Sequence, residues 1–404
     1  MPPSLSARHT AVASFDAFAI VAPGLAPLLA DELRGLAVPI SEVNTAGVAF
    51  PASLDTLLHV NLWSRLATRV VVRLCEFAVR DFATLEKRCA KIPWPVHIAA
   101  GAQVRCRVTC RKSRLYHSDA VAERVGRSVQ AAVPSVNVLA RARDEEQTDH
   151  AGDDLESPMA IIAAPTQLII VRLEHDRCTI SLDSSGDLLH RRGWRQAIAK
   201  APLRESLAAA MLAGCEWQGD VPLVDPFCGS GTIGIEGALR ARGMAPGLTR
   251  RFAIEQWPGV DPAWVTSQRD HAAALARPST GVAIQMSDRD AGACEAARAN
   301  AQRAGVIEDL VIEHCPISAV DLAALGPRGL LLTNPPYGLR LSEGADLRSL
   351  YARLGDVVRS GGRDWRLGLL VPDRSLAAQT GLKFTTLLRT SNGGIGVGVE
   401  LSRK

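Results

Sequence analysis

Hydrophobic and polar positions divide the chain into two regions with different periodicities. Between about residues 15 and 182, short stretches of strict alternation are mixed with amphipathic helical stretches, which is typical of an α+β arrangement. Gln103–Thr109 alternates like a half-buried strand, and Ser118–Val133 follows it with helical spacing. The pattern also predicts strands at Phe18–Val21, Gly47–Phe50, Ala67–Ala78, Thr166–Leu173 and Cys178–Asp183, and helices at Leu25–Leu36, Leu54–Trp63 and Leu85–Ile92.

From about residue 200 the pattern becomes a regular alternation of short apolar strands and helices, which indicates a parallel α/β sheet. Near the end, Phe384–Thr390 and Val397–Leu401 flank Asn392-Gly393-Gly394, which predicts a hairpin and an antiparallel last strand. The other predicted elements are strands at Pro222–Asp225, Val282–Met286, Asp309–Glu313, Gly329–Thr333 and Leu367–Val371, and helices at Glu205–Ala213, Thr232–Ala241, Ala291–Ala304 and Asp346–Val358.

The composition is that of a folded chain with more than one domain. The 404 residues are 47% hydrophobic and 22% charged, which argues against a disordered or fibrous protein. The net charge of +4 does not by itself identify a polyanionic partner. A concentration of carboxylates at residues 144–156 predicts a solvated loop.

The cysteines and the first thirty residues bear on location and metal content. The nine cysteines include no CxxC pair and have no zinc-finger spacing, so reduced thiols and no structural metal are expected. Met1–Thr10 lacks the pattern of a signal peptide, and prolines and a glycine interrupt the apolar stretch Phe18–Ala30. These features predict a soluble cytoplasmic protein without a membrane span.

The first candidate site is the turn Asp225-Pro226-Phe227-Cys228-Gly229-Ser230-Gly231-Thr232. An apolar strand runs into two glycines, and a helix is predicted to begin at Thr232. Glycines let a ligand approach the backbone closely at a strand's carboxyl end and a helix N-terminus, where nucleotide-like ligands bind. The turn is neither a Walker loop nor a complete GxGxxG motif, so on these residues alone a purely structural turn remains an alternative.

The second candidate site is Asn334-Pro335-Pro336-Tyr337, which follows the predicted strand Gly329–Thr333. Two consecutive prolines stiffen the backbone and remove two N–H donors. They would hold the Asn334 side chain and a carbonyl oxygen rigidly as acceptors for an amino group, beside a ring able to stack on a base. Core packing of Tyr337 is the alternative.

The two sites together resemble those of class I S-adenosylmethionine-dependent methyltransferases. Asp225–Thr232 is similar to their cofactor motif, and Asn334–Tyr337 matches the Asn-Pro-Pro-Tyr motif of amino-group methyltransferases. Other segments resemble bacterial THUMP-domain rRNA and tRNA guanine-N2 methyltransferases, so the resemblance covers nearly the whole chain. These segments are Asn61–Arg69, Arg114–Ser118, Ser181–Asp183, Gly186-Asp187, His190–Arg195 and Ala201–Glu205.

The resemblance implies an architecture and a set of boundaries. It predicts a Rossmann-like class I methyltransferase domain over residues 184–404, with a mostly parallel sheet and an antiparallel last strand. An α+β ferredoxin-like segment over residues 1–70 and a THUMP RNA-binding domain over 71–183 would precede it.

The resemblance also implies roles for residues of the first site. Asp225, Gly229 and Gly231 would line the methionine part of S-adenosylmethionine, and an acidic residue after the second strand would bind its ribose. The interval to Asp288 exceeds the usual ~20 residues, and Arg250–Leu275 is interpreted as an insertion. Glu255 is a rival, but no clean helix follows it, whereas Asp288 lies between the strand Val282–Met286 and the helix Ala291–Ala304 and is therefore preferred. The full predicted cofactor site is Asp225, Phe227, Gly229, Gly231, Thr232, Asp288, Asp290 and Cys315.

The chain departs from the family at the end of the third strand. Relatives commonly place an acidic residue near the adenine there, whereas this chain has Cys315-Pro316-Ile317. Proline has neither an N–H nor a carboxylate, so adenine recognition would be weaker or differently arranged. This departure motivates one alternative function, a non-catalytic RNA-binding protein with a decayed cofactor site.

A basic stretch of the first region predicts an RNA-binding surface. No acidic residue lies between 105 and 114, and alternation places Arg105 and Arg107 on one face of the strand. Such a surface suits phosphate contacts, which position RNA without reading its sequence; a solvated strand edge is the alternative. The predicted RNA-binding residues are Arg105, Arg107, Arg111, Lys112, Arg114 and His117.

These observations predict an S-adenosylmethionine-dependent methyltransferase that acts on the exocyclic N2 of a guanosine in structured RNA, with rRNA favoured over tRNA. Asn334, Pro335, Pro336 and Tyr337 would form the catalytic motif. A monomer without metal or membrane partners is expected. A DNA adenine-N6 methyltransferase, which shares the Asn-Pro-Pro-Tyr motif, is the nearest enzymatic alternative.

Overall fold

A computed structural model of the protein describes residues 14–142, 166–196, 203–337 and 347–403. Three segments named in the sequence analysis lie outside these residues: Met1–Thr10, the loop predicted at 144–156, and the pair Ala201-Pro202. The described residues form two sheets with helices packed against them, one in each of the two regions that the periodicity separates. None of the described helices is long and apolar enough to span a bilayer.

The first region forms a mixed sheet of eight strands. Its strands are β1 (Phe15–Ile20), β2 (Glu42–Asn44), β3 (Gly47–Ala52), β4 (Arg69–Ala78), β5 (Gln103–Arg111), β6 (Asn137–Val138), β7 (Gln167–Glu174) and β8 (Arg177–Asp183). Its helices are α1 (Ala26–Gly35), α2 (Leu54–Trp63), α3 (Phe82–Cys89), α4 (Trp94–His97) and α5 (Ser118–Ala132). The strand order is β2-β3-β1-β4-β8-β7-β5-β6, so β4 joins the two halves of one continuous sheet.

The second region forms a sheet of seven strands. Its strands are β9 (Leu223–Asp225), β10 (Ile284–Asp288), β11 (Leu310–His314), β12 (Arg328–Thr333), β13 (Asp364–Val371), β14 (Phe384–Asn392) and β15 (Ile395–Ser402). Its helices are α6 (Glu205–Gly214), α7 (Thr232–Ala241), α8 (Pro262–Ala274), α9 (Ala291–Arg303), α10 (Leu347–Ser360) and α11 (Arg374–Ala378). The order β11-β10-β9-β12-β13-β15-β14 brings the carboxyl ends of the parallel strands β9, β10 and β12 to one edge.

The predicted fold class is confirmed in both regions. The last strand, β15, runs antiparallel between β13 and β14, and Gly393 and Gly394 form its turn with φ of 57° and 79°. Within β5, Val104, Cys106 and Val108 are buried beneath α5, as the alternation predicts. The structure extends β10 to Asp288, two residues beyond the predicted strand end.

Buried polar contacts tie the two regions together. Asn61 Nδ2 donates to Ser184 Oγ (2.9 Å), and Arg192 Nη2 donates to the Arg65 carbonyl oxygen (2.6 Å). Arg192 also pairs with Glu236, a fully buried residue of α7 (3.4 Å). The segments that carried the family resemblance are therefore in contact, and they hold the helix that follows the glycine-rich turn.

Candidate active site

The glycine-rich turn connects β9 to α7, and its two glycines have different surroundings. Gly229 has a φ of +51°, and a Cβ built on it would meet no atom within 4 Å. Gly231 has a φ of +88°, but a Cβ there would lie 3.0 Å from the Cβ of Ala297 on α9. Because only Gly229 faces open space, it is the position at which a ligand can approach the backbone, whereas Gly231 allows helices to pack closely.

Asp288 lies against this turn, at the end of the neighbouring strand β10. Its Oδ2 accepts a hydrogen bond from the Gly229 backbone N–H (3.1 Å), although the two residues are 59 positions apart. Its Oδ1 accepts from the N–H of Asp290 (3.0 Å), and the exposed Asp290 side chain caps α9 by accepting from Gly292 N–H (2.9 Å). The half-buried Asp288 carboxylate and the open space at Gly229 are therefore adjacent.

Glu255, the rival to Asp288, has a different environment. Its Oε1 accepts from the Phe252 N–H (2.8 Å) and from the guanidinium of Arg269 on α8. Both partners belong to the segment that the sequence suggested is an insertion. Glu255 therefore stabilises this segment internally, and among the described residues none of its hydrogen bonds or ion pairs reaches the glycine-rich turn.

Cys315 and Pro316 follow β11, beside the end of β10. The Cys315 N–H donates to the Asp288 carbonyl oxygen (3.1 Å), and its side chain is half-buried. Pro316 is exposed and begins a short 3-10 turn at Ile317–Ala319. The departure from the family pattern therefore lies next to Asp288, on the same edge of the sheet.

Asp225 lies beneath the turn and is only 2% exposed. Its Oδ1 accepts hydrogen bonds from Thr333 Oγ1 (2.6 Å) and from the Phe227 N–H (3.3 Å). Burial, with a smaller contribution from the neighbouring Asp288 carboxylate, raises the pKa of Asp225 to about 7, against the lowering effect of the two hydrogen bonds. This carboxyl group joins the first candidate site to the second.

The ends of the turn are also held by neighbours. Phe227 is half-buried and packs against the apolar cluster around α10 and β13. Thr232 is buried, and its Oγ1 accepts a hydrogen bond from Arg195 Nη2 (3.0 Å). Arg195 in turn pairs with the buried Glu205 at the start of α6 (2.9 Å), so the segment that precedes the second region supports the start of α7.

The Asn-Pro-Pro-Tyr segment follows β12, the neighbour of β9. The Oδ1 of Asn334 is buried and has no hydrogen-bond partner among the described residues. Pro335 is buried and Pro336 is exposed. A buried acceptor without a partner costs free energy, so it is well placed to accept an N–H from a ligand.

Two residues that the sequence did not assign to the candidate site hold this segment in place. Tyr351 of α10 is fully buried and donates its hydroxyl hydrogen to the Pro336 carbonyl oxygen (3.3 Å); burial raises the pKa of Tyr351. Asn392 Nδ2, at the end of β14, donates to the Tyr337 hydroxyl oxygen (3.3 Å). Tyr337 is half-buried, with its hydroxyl group engaged and part of its side chain accessible. Nothing in the local sequence around Tyr351 or Asn392 signals these contacts.

The basic residues lie on the eight-stranded sheet and in the loop after β5. Arg105 is exposed and Arg107 half-buried on the face of β5 opposite its buried valines. Arg111, Lys112, Arg114 and His117 are all exposed. No group of three or more His, Cys, Asp or Glu side chains within the described ranges is arranged to hold a metal ion.

Comparisons with known proteins agree with this geometry. A family model described as an RMKL-like methyltransferase domain matches residues 192–396, and one described as the RlmL ferredoxin-like domain matches residues 16–71. The chain belongs to the RMKL-like methyltransferase family. The resemblance stated from the sequence is therefore confirmed, and with it the class I methyltransferase fold of the second region.

Individual members of this family differ in length. The chain is 36% identical, over 94% of its length, to the ribosomal RNA large subunit methyltransferase K/L of Syntrophotalea carbinolica, and it spans about half (52%) of that relative. It is 31% identical to a putative RNA methyltransferase of Synechocystis, with 94% of each chain covered. The crystal structure of SMU.472, a putative methyltransferase complexed with SAH, superposes with a TM-score of 0.82 at 27% identity, covering 97% of this chain and 99% of that one.

Proposed function

We propose that the protein is an S-adenosylmethionine-dependent RNA methyltransferase that transfers a methyl group to the exocyclic N2 of a guanosine in structured RNA. The observation that carries the proposal is the buried Oδ1 of Asn334, which has no hydrogen-bond partner in the part of the chain that the structure describes and lies one strand away from the open space at Gly229. The names of the RMKL-like relatives support an RNA substrate, with rRNA favoured.

The residues at the edge of the second sheet fit S-adenosylmethionine. The space at Gly229 would be narrowed by any side chain there, and the adjacent Asp288 carboxylate offers an acceptor for ribose hydroxyl groups. Phe227, Gly231, Thr232 and Asp225 would shape this space, and Cys315 would border the adenine, with Asp290 near it. The cofactor would supply an electrophilic methyl group on a sulfonium.

Asn334 would orient the amine that receives the methyl group. The lone pair of a guanine N2 is delocalised into the ring, which makes this amine a poor nucleophile. Asn334 Oδ1 and the Pro335 carbonyl oxygen would each accept a hydrogen bond from one N–H of the amine. The nitrogen lone pair would then point toward the methyl group. Tyr337 would stack on the base, and the rigid Pro335-Pro336 backbone would fix these groups in advance. The rate gain would come from positioning and electrostatic preorganisation.

The first region would hold the RNA. We propose the division into a ferredoxin-like segment (1–70), a THUMP domain (71–183) and a methyltransferase domain (184–404). Phosphate contacts would come from Arg105, Arg107, Arg111, Lys112 and Arg114, with His117 beside them. These side chains lie on one strand and its following loop, so they would follow a backbone without reading its sequence.

The test is the chemical identity of the product. Purified protein is incubated with labelled S-adenosylmethionine and either ribosomal RNA, transfer RNA or DNA, and digested nucleosides are analysed by mass spectrometry. N2-methylguanosine in RNA, absent with Asn334→Ala, is the expected result. N6-methyladenine in DNA would instead support the DNA methyltransferase. A folded protein that does not bind the cofactor in calorimetry at millimolar concentration would support the decayed cofactor site next to Pro316.

A further inference from the structure

Tyr116 is the most exposed of the large apolar side chains in the described ranges, with 67% of its surface accessible. It lies in the loop between β5 and α5, where its ring centroid is 4.0 Å from that of His117 at an interplanar angle of 40°. The other two tyrosines differ, since Tyr351 is buried and Tyr337 is half-buried in the candidate active site. Exposing an aromatic ring to water costs free energy unless a partner covers it.

The backbone of this loop is fixed, although its side chains are exposed. Arg114 N–H donates to Asp176 Oδ1 (2.8 Å), and the Asp176 N–H donates to Ser113 Oγ (3.1 Å). The His175 N–H donates to the Arg111 carbonyl oxygen (3.2 Å). Leu115, next to Tyr116, is only 6% exposed and packs into the core. The ring is therefore presented by a preorganised turn, which lowers the entropic cost of binding.

The surroundings of Tyr116 are positively charged. Arg111, Lys112 and Arg114 precede it, and their side chains are exposed. Two carboxylates that belong to this loop's surroundings already have partners: Asp119, three residues after Tyr116, accepts from Arg141 Nε (2.5 Å), and Asp176 accepts from Arg80 Nε as well as from the loop backbone. An aromatic ring among cations is the combination that binds single-stranded nucleic acid, in which bases stack and phosphates are neutralised.

We propose that Tyr116, backed by His117, is a stacking platform for an unpaired base of the RNA substrate, with Arg111 and Arg114 contacting the flanking phosphates. This inference rests on the proposed function, because it presupposes that the chain binds RNA. It deepens that function by assigning this loop to a single-stranded nucleotide, whereas Arg105 and Arg107, within β5, would contact the phosphate backbone of single-stranded and double-stranded RNA alike.

The test compares two RNA probes bound by the full chain. One is a short single-stranded RNA with 2-aminopurine at an internal position, and the other is the same sequence in a blunt duplex. Affinities are measured by fluorescence anisotropy for the wild type, Tyr116→Ala, Tyr116→Phe and Val96→Ala. Val96 is a matched control because it is 60% exposed in the same region and has no aromatic ring.

Tyr116→Ala is expected to lower the affinity for the single strand roughly 5- to 150-fold, the range of one lost base stack, and to remove 2-aminopurine quenching. Its affinity for the duplex should change little. Tyr116→Phe and Val96→Ala should bind as the wild type does. Because Tyr116 is exposed, thermal melting of Tyr116→Ala should match that of the wild type.

Three outcomes would overturn this inference: a single-strand affinity unchanged by Tyr116→Ala, an equal loss for the duplex, or a loss in Tyr116→Phe as large as in Tyr116→Ala. If the wild type still binds and methylates RNA in these cases, the proposed function is unaffected. A wild type that binds neither probe and methylates no RNA contradicts the proposed function itself.

Discussion

Thr333 Oγ1 donates a 2.6 Å hydrogen bond to Oδ1 of Asp225, across two strands whose residues are 108 positions apart. Asp225 begins the glycine-rich turn, and Thr333 immediately precedes Asn334. Both side chains are almost fully buried. This contact therefore fixes the position of Asn334, whose Oδ1 has no hydrogen-bond partner within the described ranges, relative to the turn that we propose holds the cofactor.

Removing this hydrogen bond should destabilise the protein. Thr333→Val keeps the shape of the side chain but leaves the buried Asp225 oxygen with only the longer bond from Phe227 N–H, so we expect a loss of about 1–3 kcal/mol in the free energy of unfolding. RNA methylation should slow as well, because Asn334 loses its support. Urea denaturation and initial rates measure the two effects, and Thr333→Ser should restore most of both.

Thr390→Val is the matched control for Thr333→Val. Thr390 is also a buried threonine, but its Oγ1 has no hydrogen-bond partner among the described residues. Replacing it by valine should therefore leave stability unchanged or raise it. An equal loss of stability in the two valine variants would show that the hydrogen bond to Asp225 does not stabilise the protein.

The raised pKa of Asp225 predicts a pH-dependent contribution to stability. Folding raises this pKa from an ordinary 3.8 to about 7, so between these values the folded protein keeps a proton that the unfolded chain has lost. The contribution of Asp225 to the free energy of unfolding should therefore fall as the pH rises from about 4 to about 7, and stay low above that.

Asp225→Asn removes this titration while keeping an oxygen that accepts from Thr333. The free energy of unfolding of the variant minus that of the wild type should increase from about pH 4.5 to about pH 7.5. Urea denaturation of both proteins across that range measures this difference. The other buried carboxyl groups contribute equally to the pH dependence of both proteins, so their contributions cancel. A difference independent of pH would mean that Asp225 is ionised throughout.

Periodicity predicted the elements that carry the candidate site, because their burial follows regular spacing. Helix α7 begins and ends at the predicted residues, and the preference for Asp288 over Glu255 agrees with its contact to Gly229. Because both residues follow parallel strands, the pattern was enough to place Asp288 at the same edge of the sheet as the turn, and its role toward the cofactor stays a prediction.

Contacts between distant segments could not be predicted in this way. The partners Asp225 and Thr333, or Tyr337 and Asn392, meet only because strands far apart in sequence are neighbours in the sheet. Helix α8 was missed for another reason: of its residues only Val265 and Ala272 are buried, too few to produce an amphipathic pattern. The local sequence also did not signal that Gly231 serves helix packing.

Asn334→Ala should abolish methyl transfer and leave cofactor binding nearly intact. The residue offers its amide oxygen to the target amine, whereas the open space and Asp288 that fit the cofactor lie on neighbouring strands. We expect turnover to fall ~100-fold or more, as for the loss of other preorganised polar groups, with calorimetric affinity for S-adenosylmethionine almost unchanged.

Asn392→Ala provides the comparison for Asn334→Ala. It removes the hydrogen bond to the Tyr337 hydroxyl but keeps the Asn334 amide, so methyl transfer should slow and remain detectable. A parallel loss of cofactor affinity and turnover in Asn334→Ala would show that this residue belongs to the cofactor site instead.

Replacing Arg105, Arg107 and Arg111 together by alanine should weaken RNA binding and flatten its dependence on salt. The slope of log affinity against log salt is negative, and each lost phosphate contact makes it less steep by ~0.7–0.9. Three lost contacts therefore predict a slope that is less steep by about 2–3. Affinity for S-adenosylmethionine should not change, because the three residues lie on the eight-stranded sheet. Anisotropy titrations at several salt concentrations measure the slope.

The matched control for this triple variant replaces Arg34, Arg328 and Arg363. All three are exposed, and Arg328 and Arg363 lie at the amino ends of β12 and β13, the edge opposite the candidate site. The control removes the same formal charge, so a general electrostatic effect would lower affinity equally in both variants. If the slope of the first variant matched that of the wild type, β5 would be a solvated strand edge and RNA would bind along another surface.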